Sequence, residues 1–208
     1  MHKETFTGWD IGGAHLKLAC VTTAGKVVMA MQLPMPLWQG IHMLDQSLAQ
    51  AIQLLPVAPA VHSMTCTAEL VDIFSDRRSG ISTITNKISG ALNDGEIRLY
   101  AGRAGWVSPL AADQHAADIA SANWHATATY VAGVVGNGIL IDIGSTTTDI
   151  IMFGKGLVRY HGYSDYDRLS SCELVYTGIV RTPVMAVTDK ALIGGNWQPM
   201  IAELFATM

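Results

Sequence analysis

The sequence predicts an α/β fold built from two similar halves. Three observations point there. Short β-branched runs alternate with stretches of helical spacing. A strand–acidic turn–strand pattern occurs twice, as GWDIGGAHLKL from residue 8 and as ILIDIGSTTTDIIMF from residue 139. A turn-rich link, Val135-Gly136-Asn137-Gly138, separates the two and sets expected halves of residues 1–135 and 136–208.

Each element has its reason. Residues 5–12, 16–23 and 26–33 read as a three-strand meander. LPMPLW (33–38) is broken by prolines. Ile41, Leu44, Leu48, Ile52 and Leu55 share one helical face across 40–55, and Pro56 and Pro59 stop that helix. AVHSMTCT (60–67) is the next strand, and a helix is expected from Glu69 to Asn93, with Gly80 and Gly90 as weak points. EIRLYA (96–101) is a strand and the Ala-rich 110–132 a long helix. After the second hairpin come a short strand at 157–161, a helix over 166–177 and an extended RTPVMAV at 181–187.

The two hairpins align residue by residue. Asp10 falls on Asp142, Ile11 on Ile143, Gly12 on Gly144 and Gly13 on Ser145, while Ala14, His15 and Leu16 face Thr146, Thr147 and Thr148. Each copy later reaches a Gly-Lys turn, Gly25-Lys26 or Gly154-Lys155. The spacing is far too long for a solenoid unit and marks duplicated domains. An unpaired carboxylate such as Asp142 is costly inside an apolar strand, so its position asks for a compensating role. Glycine at a turn lets backbone approach a ligand. Successive N–H groups and hydroxyls make a concave anion site, and an Asp at the strand end suits a hydrated Mg²⁺. Neither turn is a Walker loop or a dinucleotide fingerprint; tight hairpins with structural Asp caps are the alternative.

Bulk properties narrow the partners. Of 208 residues, 50% are apolar and 14% charged, well under the usual quarter. Such a surface fits a covered partner face or a missing piece of chain. Net charge is −4 with no basic run, which argues against nucleic acid. No apolar stretch is long enough for a membrane span, and MHKETFTGWD has no signal core. Cys20, Cys66 and Cys172 are widely spaced and read as reduced, mostly buried thiols of a cytoplasmic protein. No Cys/His spacing suggests zinc.

Paired D-x-G-[GS]-x turns opening two α/β halves resemble the actin/Hsp70/sugar-kinase superfamily, and more narrowly its hydantoinase/oxoprolinase branch. GWDIGGAHLKLA, TCTAELVDIF, SANWHATA, LIDIGSTTTDIIMF and DYDRLSSCELVYTGIVRTPV, spread over nearly the whole chain, are similar to the tetrahydromethanopterin-linked C1 transfer pathway proteins of that branch. The resemblance implies an actin-like ATPase (ribonuclease H-like) fold with the second half stopping short. It implies a transferase of methanofuran biosynthesis that joins an aminomethyl-furan diphosphate to γ-glutamyltyramine and releases diphosphate. Asp10 and Asp142 are then the catalytic and metal positions. Gly12, Gly13, Ala14, His15, Lys17, Gly144, Ser145, Thr146 and Thr147 form the phosphate cradle.

Within that set, the His15 ring reads as a solvated turn residue, and Lys17 either neutralises phosphate or is a solvated strand residue. Arg181 clamps an anion or serves in a cap or salt bridge. Glu173 and Tyr176, three apart on the expected helix, orient an amine or phenol or pack the domain. Asp149 stabilises the hairpin, and Asn123 and Trp124 pack between the halves. The family pattern has Asn where His15 stands and Gly where Cys172 stands. The expected cofactor is Mg²⁺, with ATP as an option, and the expected partner a small-molecule diphosphate or nucleotide. Relatives are longer beyond Asp142. Ile193-Gly194-Gly195 has too little chain behind it to build their adenosine pocket. The alternatives are a truncated chain, a homo-oligomer or a complementing polypeptide. Two other functions stay open: an ATP-dependent hydantoinase or small-molecule kinase, and a non-catalytic phosphate-binding remnant.

Overall fold

The computed structural model describes residues 5–201; MHKE at the start and AELFATM at the end lie outside them. Two compact units divide between Ala126 and Thr127.

Unit 1 opens with the expected meander: β1 (Thr5–Ile11), β2 (His15–Thr22) and β3 (Val27–Pro34). It continues with α1 (His42–Leu54), β4 (Val61–Cys66), α2 (Arg77–Ala91), β5 (Glu96–Tyr100), β6 (Trp106–Val107), α3 (Ala116–Ile119) and the start of α4 (Asn123–Val135). The sheet order is β3-β2-β1-β4-β5-β6. β4 lies parallel to β1 and to β5, and β2 is antiparallel to both of its neighbours. That order and those directions are the ribonuclease H-like half that the sequence predicts. Period-2 patterning decides which face is covered. Trp9, Ile11, Leu16, Leu18 and Met64 turn toward Leu44, Leu48 and Ala51 of α1 and Ile81, Ile84 and Ile88 of α2, all buried in one core.

Two helices differ from expectation. The helix expected from Glu69 begins only at Arg77, under a capping box in which the Asp76 carboxylate accepts the Ser79 N–H at 2.8 Å. Before it, Ala68–Leu70 make a 3-10 turn that carries Glu69 into the core. The expected helix over 110–132 is broken. Ser121 takes a left-handed conformation (φ 54), and Ala120 bridges to Cys66. Sheet pairing and a buried polar contact override the Ala-rich propensity there.

Unit 2 holds the rest of α4, then β7 (Gly138–Ile143), β8 (Thr148–Gly154), β9 (Leu157–Arg159), α5 (Asp165–Ser170), β10 (Leu174–Val175), β11 (Lys190–Ile193) and β12 (Asn196–Pro199). β8 is the hub, pairing antiparallel with β7, β9 and β10. The helix expected to reach residue 177 stops at Ser170. Cys172 adopts φ 60, and Leu174 and Val175 leave to pair with Asp149 and Thr148. RTPVMAV is extended only in part, because Val184–Ala186 form a 3-10 turn. Ile193-Gly194-Gly195 belongs to a β11–β12 hairpin whose glycines (φ 58 and 83) supply a type I′ turn. Among the described residues no helix is long and apolar enough to cross a membrane.

Candidate functional site

The two acidic turns are built alike. In unit 1 the Gly12 N–H donates to His15 O at 3.0 Å; in unit 2 the Gly144 N–H donates to Thr147 O at 2.8 Å. These are the aligned positions of the sequence repeat. Neighbouring segments then consume the turns' carbonyls. Met35 N–H donates to Ala14 O and Leu37 N–H to Gly13 O. In unit 2, Ile179 N–H donates to Gly144 O, and the N–H groups of Val180 and Arg181 both donate to Ser145 O. The amides of Gly13 and Ala14, and of Ser145, Thr146 and Thr147, have no acceptor among the described residues. In turn 1 the Gly13 and Ala14 carbonyls are taken and in turn 2 those of Gly144 and Ser145, while the amides stay available as donors, the polarity of an anion nest. Ser145 to Thr147 add three hydroxyls on the second turn.

The acids sit at matching strand ends. Asp10 is opposite Lys17 across β1–β2, and its carboxylate accepts from Lys17 Nζ at 3.1 Å and from Thr65 Oγ1 at 3.0 Å. Lys17 is therefore bonded to Asp10 and is not a solitary cation. Asp142 is opposite Asp149, stands exposed, and makes no side-chain bond among the described residues. Asp149 is instead paired with Arg168, whose Nη1 lies at 2.8 Å. Burial pushes the Asp149 carboxyl up, opposed by the Arg168 charge. Asp149 is thus a hairpin anchor.

Each turn rests on a later segment. Beside turn 1, Thr67 N–H donates to Ile11 O, and a Cβ on Gly13 would meet Val71 Cγ2 at 2.7 Å. Behind it lies Glu69, 2% exposed, accepting from Ser121 Oγ at 3.1 Å through Oε1 while Oε2 has no partner. Burial pushes the Glu69 carboxyl up, and burial together with Glu69's charge pushes the Cys66 thiol well up. An open groove of about 650 Å³ crosses the other sheet face from Ala30 and Gln32 past Lys17, Asp10 and Ser63 to Trp106.

Other expected site residues are redistributed. Glu173 and Tyr176 do not share a helix face: Glu173 is buried and Tyr176 is 67% exposed. The Glu173 carboxylate accepts the N–H groups of His161 and Gly162 and the Ser171 hydroxyl. Burial raises its pKa, but these donors outweigh burial and hold it below the ordinary value. Glu173 therefore holds a loop. Arg181 is exposed, with its amide fixed to turn 2. His15 is exposed at turn 1. Trp124 is buried, its ring against His125, which bonds Tyr100 within unit 1. Of the three thiols, Cys20 and Cys66 are buried and Cys172 is exposed. Sequence reading missed Thr65, Glu69, Gly178 and Thr182; for the last two, the signal was the TGIVRT run of the quoted motif.

No cluster of three or more His, Cys, Asp or Glu among the described residues holds a metal. One carboxylate per turn does fit Mg²⁺, which keeps most of its waters and takes one or two protein carboxylates beside phosphate oxygens.

Residues 60–200 match the hydantoinase/oxoprolinase family, and the chain belongs to it. Over 205 residues it is 30% identical to (4-{4-[2-(gamma-L-glutamylamino)ethyl]phenoxymethyl}furan-2-yl)methanamine synthase of Methanocaldococcus jannaschii, covering 98% of this chain and 60% of that protein. It is 39% identical over 70 residues to the Methanococcus vannielii synthase of the same name, covering 34% of this chain and 31% of that one. Among solved structures, it resembles the ethanolamine utilization protein EutJ of Carboxydothermus hydrogenoformans, with 16% identity, a TM-score of 0.46, and 77% and 51% of the two chains covered. The chain thus spans under two thirds of the length of the synthases it matches.

Proposed function

We propose that this chain carries the two phosphate turns of a diphosphate-releasing transferase of methanofuran synthesis. Support comes from 30% identity to the Methanocaldococcus synthase along 98% of the chain. The observation that carries the reading is the pair of donor-rich turns, each with an Asp at its strand end.

In the proposed reaction a phenol oxygen of γ-glutamyltyramine bonds to the methylene carbon of an aminomethyl-furan diphosphate. The carbon–oxygen bond to diphosphate breaks, diphosphate leaves with the electron pair, and the phenolic proton passes to solvent. Each turn can hold phosphate oxygens by itself, through the amides of Gly13 and Ala14 in unit 1 and those of Ser145, Thr146 and Thr147 in unit 2, and stabilise the charge that develops as diphosphate departs. Arg181, held at turn 2, adds a guanidinium. Asp10, positioned by Lys17 and Thr65 at turn 1, and Asp142 at turn 2 are each a carboxylate that would take Mg²⁺ beside phosphate oxygens, and the ion would supply charge neutralisation at the leaving group. A reduced, cytoplasmic setting agrees with three free cysteines.

The test is thermal unfolding of the full chain with Mg²⁺ and pyrophosphate, with Mg²⁺ and ATP, and with Mg²⁺ alone. A ligand at 100 times its Kd adds about 2.7 kcal/mol. We expect stabilisation by pyrophosphate and at least about a tenfold loss of its affinity, or about 1.4 kcal/mol, in Asp142→Asn. Stabilisation by ATP alone would transfer the chain to the hydantoinase or kinase reading; no response to either would overturn phosphate binding.

A further inference from the structure

We propose that Thr177–Thr182 is a shelf that sets the shape of the second phosphate turn, with Gly178 and Thr182 as positioning residues. The inference rests on the phosphate reading above for its functional consequence, though not for its geometry.

Four contacts define the shelf. Thr148 Oγ1 donates to Thr177 O at 2.6 Å at the foot of the turn. Ile179 N–H donates to Gly144 O at 3.0 Å, and Arg181 N–H to Ser145 O at 2.9 Å. A Cβ on Gly178 would lie 2.5 Å from Thr146 N and 2.6 Å from Ser145 C and Thr146 C. Those are backbone atoms and cannot swing away like a flexible side chain. Gly178 is needed for close approach and not for a left-handed φ. The shelf is in turn pinned by Thr182, which is 5% exposed and whose Oγ1 accepts the Gly178 N–H at 2.7 Å.

The consequence is directional. The shelf's N–H groups fill the carbonyls of Gly144 and Ser145, while the amides of Ser145, Thr146 and Thr147 are left without an acceptor among the described residues. Loosening the shelf lets those peptides rotate and spoils the nest while the Ser and Thr side chains remain. DIGSTTTD, residues 142–149, is thus the cradle and YTGIVRTP, residues 176–183, its support.

The experiment uses the full chain with Gly178→Ala, Thr182→Val and Thr182→Ser. Amide hydrogen exchange of the turn, read at the bonded N–H groups of Gly144, Ile179 and Arg181, is compared with β8 and unit 1, together with Mg²⁺-pyrophosphate affinity. We expect Thr182→Val and Gly178→Ala to speed exchange of the turn at least about tenfold relative to β8, and Thr182→Ser to restore the wild-type rate. Pyrophosphate affinity should fall about tenfold with Thr182→Val and recover with Thr182→Ser. Unchanged turn exchange in both Thr182→Val and Gly178→Ala overturns the shelf. If exchange responds while the wild type ignores pyrophosphate, the shelf stands and the phosphate reading fails. A merely structural threonine would lower overall stability without the turn-specific acceleration, and that result also overturns the proposal.

Discussion

At the scale of single residues, the costly groups lie beside the turns. Glu69 is nearly fully buried with one oxygen unpartnered, and burial raises its pKa. The unfolded chain ionises Glu near pH ~4.3, so the folded state holds the extra proton above that value. Stability supplied by this group is complete below the unfolded pKa and lost as pH rises toward the folded one. Glu69→Gln should therefore match wild type below the unfolded pKa, gain on it as pH rises above that value, and level off once the folded carboxyl ionises. Urea unfolding at several pH values measures the difference; a constant offset would refute it. Cys172 is a second local strain. It holds φ 60, a left-handed conformation that favours glycine.

At the scale of elements, packing decides where glycine is obligatory. Gly80 and Gly90 both lie in α2, and sequence marks them equally as weak points. A Cβ on Gly80 would meet Glu69 Cβ at 2.9 Å and Glu69 Cα at 3.0 Å, whereas Gly90 faces open space. Ala gains up to about 1 kcal/mol of helix propensity at either site, but overpacking costs about 1–3 kcal/mol. Gly80→Ala should thus destabilise, and Gly90→Ala should stabilise by about 0.5–1 kcal/mol. Denaturant midpoints of the two variants test the opposite signs.

At the scale of the whole molecule, the two units are unequally cored. Ile11, Trp9 and Thr7 of β1 are 1%, 3% and 1% exposed, while the aligned Ile143, Ile141 and Ile139 of β7 are 59%, 59% and 63% exposed. Unit 1 packs its sheet under α1 and α2; the buried apolar residues of unit 2 are few, chiefly Ala128, Ala132, Ile151, Phe153 and Leu174. Since burial of apolar area is the main stabilising term, β7 and β8 should lose amide protection at lower urea than β1, β2 and β4. Equal protection across the two units would contradict this ordering.

The sequence by itself determined the repeat, the meander and the donor-rich composition of both turns, because period-2 patterning, breakers and hydroxyl runs are local signals. It also placed Asp10 and Asp142 at equivalent strand ends. Tertiary structure decided which groups those residues meet. Lys17 went to Asp10, Asp149 to Arg168 and Glu173 to a loop, because each carboxylate is satisfied by donors distant in sequence or set by backbone conformation. The helices expected through Glu69, Ala120 and Cys172 broke for the same reason. Helical spacing scores side chains along one segment, while sheet pairing, a buried polar contact and a left-handed residue are fixed by the rest of the fold.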